Sequence, residues 1–142
     1  MKEPVHATIR RINGGVRLRA DVEGKPSLEI DSAPPYGAGD TLSAMELFLT
    51  SLCGCSGGTV LALLNKMRKT ILSFSIEAEG TRLQEPPMRF STITLKFRLA
   101  SPNTTEEELK KIIRLAGEKY CPVWAMIKNT VEVETEAEVA AG

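Results

Sequence analysis

Three cysteines, Cys53, Cys55 and Cys121, are the residues of this chain with the greatest chemical reach. Their odd number, and an N-terminus without the apolar core of a signal peptide, argue against a structural disulfide framework. A zinc site is also poorly served. Cys53-Gly54-Cys55 is spaced more tightly than metal-binding cysteine pairs, and His6 is the only histidine. No metal site is therefore expected, and each cysteine is either a reactive thiol or a small buried hydrophobe.

The surroundings separate the three. Cys121 precedes Pro122, which suits the first position of a short helix running to about Lys128, so Cys121 would be its N-cap. Unpaired amides and the positive dipole end at such a position favour a thiolate. Cys55 falls in the middle of a long helix, where the amides are already bonded, so any activation there has to come from tertiary neighbours. Cys53 lies about 200° around the helix from Cys55 and points elsewhere. For both Cys55 and Cys121, taken one at a time, buried packing and reactivity remain alternatives. Glu46 is a candidate carboxylate and also the N3 residue of a capping box with Ser43. His6 is expected at the surface, and Tyr120 and Trp124 are expected as core aromatics.

The elements that hold these residues follow from periodicity. Alternation at Val5, Ala7 and Ile9, at Val16 to Val22, and at Leu28 and Ile30 marks three short strands, with turns at Asn13-Gly14-Gly15 and Glu23-Gly24-Lys25. Residues 31–40, with two prolines and two glycines, form a loop. A helix over about 41–69 follows, with Asp40 competing with Ser43 for the cap, and with apolar residues around most of its axis. Gly54, Gly57 and Gly58 inside it imply either close packing, including against a second copy, or room for a ligand beside Cys55. Strands are marked by Leu72 to Glu79, Ile93 to Leu99 and Val131 to Glu138. The Glu132, Glu134, Glu136 and Glu138 row reads as a solvated face able to pair with a basic neighbouring strand. Leu109, Ile112, Ile113 and Ala116 make one amphipathic helix, opened by a Thr105–Glu108 capping box. The fold class is α+β: one domain over 1–142 with about six strands in a largely antiparallel sheet, helices on one face, and a long central helix.

Composition narrows the function classes. Eighteen basic and eighteen acidic side chains leave no net charge, so neither nucleic acid nor an anionic membrane is a default partner. A hydrophobic content of 42% with 25% charged residues is globular rather than disordered. No membrane-spanning run is expected, and a cytoplasmic location is.

The segment from Ser43 through Cys55 to Ser56 resembles the central-helix motif of the OsmC/Ohr family, the osmotically inducible and organic-hydroperoxide-resistance proteins. Cys121-Pro122-Val123 resembles the family's second motif, and Pro35-Tyr36-Gly37-Ala38-Gly39 also fits. The cysteines stand 66 residues apart, as in that family, and the likeness spans essentially the whole chain. It implies an intertwined homodimer with long helices at the interface. It also implies reduction of organic hydroperoxides by Cys55, resolution by Cys121 as a disulfide, and recovery by an external dithiol, with neither flavin nor metal. Glu46 would be the associated carboxylate. Arg10, Arg11, Arg17 and Arg19 are the candidates for the arginine that activates the first thiol. The chain departs from the pattern at Ala44, usually proline, and at Met45, where the hydroperoxide reductases carry their glutamate. A redox sensor or small-molecule-binding dimer with the same fold is the alternative.

Overall fold

The computed structural model describes residues 2–142. The chain divides into two compact units, residues 1–48 and 49–142. The first holds β1 (Thr8–Arg11), β2 (Leu18–Asp21) and β3 (Leu28–Ile30) as an antiparallel meander. Val5 and Ala7 stay outside the expected first strand, which begins only at Thr8. Among the described residues of this unit no apolar side chain is buried. Ile9, Val16, Val22 and Leu28 are all exposed.

The loop after β3 is closed by polar groups. Asp31 is buried and accepts the N–H groups of Ser32 and Ala38, at 2.8 and 3.0 Å. These two bonds, with Arg17 nearby, hold its carboxyl below the usual carboxylate range. Arg17 also bonds Glu29 at 2.6 Å and Asp40 at 2.7 Å. Asp40 is thus an ion-pair partner, not the helix cap. The cap is Ser43, whose Oγ accepts from the Glu46 N–H at 3.1 Å while Glu46 accepts from the Ser43 N–H at 2.9 Å.

Helix α1 (Ala44–Lys66) starts in this unit and continues through the second. It ends three residues before the expected position 69. Arg68 takes a left-handed φ of 59°, Lys69 N–H bonds Leu64 O, and Arg68 N–H bonds Asn65 O. This is a Schellman stop built without glycine. Burial of α1 is narrower than the apolar residues around its axis suggest. Only Leu52, Ser56, Gly57, Val60 and Leu64 are buried, a single stripe. Over its most apolar 18 residues the mean hydropathy is 1.8, long and apolar enough to cross a membrane, and 28% of that window is buried. This corrects the expectation that no such run exists, because uncharged Ser, Thr and Gly residues extend the apolar stretch from Leu47 to Leu64. A core helix of a water-soluble protein meets the same length and composition test.

The second unit contains β4 (Ser73–Arg82), β5 (Phe90–Ala100) and β6 (Glu132–Ala140), in the order β4-β5-β6. The six strands therefore form two three-stranded sheets within the chain rather than one. The β4–β5 pair is antiparallel, whereas β5 and β6 are parallel. A parallel partner is reached because the chain crosses over between these strands through α2 (Glu106–Leu115), a π-helical turn (Ala116–Tyr120) and α3 (Pro122–Ile127). The central strand supplies Ile93, Leu95, Phe97 and Leu99 to the core, joined by Leu52, Val60 and Leu64 of α1 and by Leu109, Ile112 and Ile113 of α2. Helix α2 carries the expected Thr105–Glu108 box. Glu108 also binds Lys69 at 2.7 Å, which with the cap bond lowers its pKa to about 2. On the solvent face Arg98 bridges Glu138 at 3.1 Å and Glu77 at 3.4 Å, so the acidic row of β6 does meet a basic neighbour.

Candidate thiol site

The π-helical turn delivers Cys121 to its place. The Cys121 N–H bonds Ala116 O at 2.8 Å, one residue wider than an α-turn, and the helix cannot continue into Pro122. A wider turn also needs a wall, and Trp124 provides it. A Cβ at Gly117 would lie 2.8–2.9 Å from the indole ring, so only glycine lets Trp124 rest there. Trp124 is half-buried on this contact, while Tyr120 is 51% exposed. Tyr120 is therefore not the core aromatic expected. Its position at the end of the turn points it outward.

Cys121 caps α3 as expected, with extended backbone (φ −79°, ψ 110°) and its sulfur accepting the Trp124 N–H at 3.5 Å. It is fully buried, and Ser56 Oγ approaches its sulfur at 3.7 Å. Cys55, one residue before Ser56 on α1, is half-buried and near enough to Cys121 for the two thiols to influence each other. The structure thus brings together two thiols that are 66 residues apart in sequence. All three cysteines are free thiols.

The electrostatics at Cys55 are mixed. Burial pushes its thiol above the ordinary value, the Val123 N–H directed at its sulfur opposes this, and the Cys121 thiol adds to the rise. Cys53 is half-buried on another face, and burial alone raises its thiol. The candidate arginines are engaged within the first unit. Arg17 is held by Glu29 and Asp40, Arg19 by Asp21 at 3.1 Å, and Arg11 by the carbonyls of Gly14 and Gly15. Arg10 is exposed and acts on Asp21. Glu46 serves the cap of α1, and the Ser43 N–H and hydroxyl lower its pKa. His6 is exposed.

The helical glycines divide in two. A Cβ at Gly57 would meet Ile76 Cδ1 at 3.0 Å and Phe74 Cε2 at 3.5 Å, so this glycine lets α1 lie close to β4. Gly54 and Gly58 have nothing within 4 Å of such a Cβ. Sequence reasoning missed three parts of the site: the π-helical turn, the Val123 N–H on Cys55, and Ser56. Gly117 four residues before a Cys-Pro pair is the one signal that marked the first of them. Among the described residues no group of three or more His, Cys, Asp or Glu side chains is placed to hold a metal ion. A cleft of about 650 Å³ among α2, α3 and β6 is lined by Trp124 and Arg114 but by neither paired thiol.

Known proteins share this arrangement of elements. The family model for OsmC-like proteins matches residues 37–136, which include both cysteines of the pair. Protein YhfA of Escherichia coli K12 is 29% identical over 99 residues, covering 70% of this chain and 74% of its own. A hypothetical protein from Aquifex aeolicus VF5 superposes with a TM-score of 0.84 at 25% identity, covering 97% of each chain. An organic hydroperoxide resistance protein OsmC from Legionella pneumophila, at 17% identity, superposes with a TM-score of 0.74 over 96% of this chain and 98% of its own. With that match and the shared fold, the chain belongs to the OsmC family of OsmC-like proteins.

Proposed function

We propose that the protein reduces organic hydroperoxides through a Cys55–Cys121 cycle. The Cys55 thiolate attacks the terminal peroxide oxygen. An S–O bond forms, the O–O bond breaks, and the departing alkoxide takes a proton to become an alcohol. Cys121 then attacks the Cys55 sulfenic sulfur, forming the S–S bond as the S–O bond breaks and water leaves. An external dithiol reduces the disulfide and is itself oxidised to a disulfide. The observation that carries this reading is the placing of Cys121, at the cap of α3, beside the α1 segment that holds Cys55: its sulfur lies 3.7 Å from the hydroxyl of Ser56, the next residue. The name of the Legionella relative, organic hydroperoxide resistance protein, supports the substrate class. Glu46 contributes by fixing the start of the helix that carries Cys55. A reducing compartment such as the cytoplasm suits a cycle that depends on dithiols.

We also propose that the working form is a homodimer. Two surfaces support this: the half of α1 left uncovered, with Gly54 and Gly58 open, and a three-stranded first sheet with no buried apolar side chain. An isolated sheet of that size without a core is marginal in water.

The raised Cys55 thiol favours one second reading, a redox sensor that forms the same disulfide without efficient turnover. A coupled assay with an alkyl hydroperoxide and excess dithiothreitol separates the two. The peroxidase reading expects catalytic consumption. The raised thiol pKa means that the thiolate fraction grows as pH climbs, so the rate of the peroxide step should increase about tenfold per unit between roughly pH 7 and 9. A flat profile would contradict the raised pKa of the attacking thiol. Oxidation of the pair without turnover would move the assignment to the sensor.

A further inference from the structure

We propose that Ser56 is a positioning residue for Cys121: its hydroxyl donates to the Cys121 sulfur and holds it against Cys55. The inference rests on the redox pairing of Cys55 and Cys121 and adds a third residue to it. Ser56 is fully buried and occupies the same stripe of α1 as Leu52, Val60 and Leu64. A small apolar residue would fill that position without cost, whereas a buried hydroxyl needs a partner. Helical Ser and Thr side chains commonly turn back to the carbonyl four residues earlier. Thr59 does so, donating to Cys55 O at 2.9 Å. Among the described residues the hydrogen-bond partner of Ser56 is instead the Cys121 sulfur, at 3.7 Å.

The direction of this bond changes with the state of the sulfur. A thiol and a hydroxyl can each donate, but a thiolate has no proton, so Ser56 must then be the donor. The attacking sulfur therefore receives two donors from different elements, the Ser56 hydroxyl from α1 and the Trp124 N–H from α3. One of them lies beside Cys55 in sequence. Any shift that carries Cys55 carries Ser56 with it, so the hydroxyl ties Cys121 to its target.

The test measures the attack of Cys121 on Cys55 without any hydroperoxide. In a Cys53→Ser background, the half-buried Cys55 is converted by Ellman's reagent to its thionitrobenzoate mixed disulfide. Cys121 thiolate then displaces the second thionitrobenzoate, forming the Cys55–Cys121 bond, and the release is followed at its visible absorbance. Ser56→Ala should slow this closure about tenfold, the loss expected for one hydrogen bond to a charged group. Its melting temperature should be unchanged or higher, because alanine is the better helix former and a buried hydroxyl is removed. Ser56→Thr, which restores the hydroxyl, should close faster than Ser56→Ala. Closure of Ser56→Ala at the parent rate would overturn the proposal, as would slowing that merely tracks a fall in melting temperature. A protein that closes with this Ser56 dependence yet consumes no hydroperoxide would refute the peroxidase reading and leave the role of Ser56 standing.

Discussion

Cys55→Ser should abolish hydroperoxide consumption, a loss on the order of a thousandfold or more, because a serine hydroxyl near neutral pH is a far poorer nucleophile than a thiol. Cys121→Ser should behave differently. One peroxide per chain should still be consumed, and Cys55 should persist as a sulfenic acid that dimedone labels. Cys53→Ser should change little, since Cys53 lies on another face of α1, where burial raises its thiol. The helix-cap position alone would favour Cys121 as the first nucleophile. Two features argue for the proposed order. Cys121 is fully buried whereas Cys55 is half-buried, so an incoming peroxide meets Cys55 first. The Val123 N–H is also directed at the Cys55 sulfur, where it can stabilise the thiolate. Loss of all activity in Cys121→Ser, with sulfenic acid trapped there in Cys55→Ser, would reverse the roles.

The second large effect concerns assembly. Gly54→Leu and Gly58→Leu face open space in the single chain, since nothing lies within 4 Å of either added Cβ. A monomer would accept both and gain up to about 1 kcal/mol of helix propensity. A dimer that buries this face would lose about 1–3 kcal/mol or more per overpacked position. Sedimentation of the parent protein should show a dimer, and both variants should shift toward the 15.5 kDa monomer. Gly57→Leu provides the contrast. Its side chain would strike Ile76 within the same chain, so it should lower the melting temperature whatever the oligomeric state. Parent protein that sediments as a monomer at micromolar concentration would refute the dimer.

The sequence reveals local chemistry more readily than long-range geometry. The start of α1 was legible because Ser43 and Glu46 bond each other's N–H groups at short range. The cap at Cys121 was legible because Pro122 restricts the residue before it. The end of α1 was hidden, since Arg68 occupies a left-handed position where glycine would have been the signal. Alternation identified β5 and β6 and which face each buries, but it carries no information on strand direction, so their parallel pairing emerged only from the crossover. The apolar residues around α1 pointed to burial on most sides, whereas one chain covers a single stripe. Ser56 stands among several small residues of the helix, Ser51, Gly54, Gly57 and Gly58, and nothing local sets it apart from them. Its partner lies 65 positions away, and no local pattern announces such a contact.

The pairing of the thiols is tested most directly by mapping them after a single oxidation. The reduced protein is treated with one equivalent of an organic hydroperoxide in the absence of dithiol, free thiols are alkylated, and the peptides are weighed. The mechanism predicts an intramolecular Cys55–Cys121 disulfide with Cys53 alkylated. A bond that contains Cys53, or three thiols left unoxidised, would contradict it.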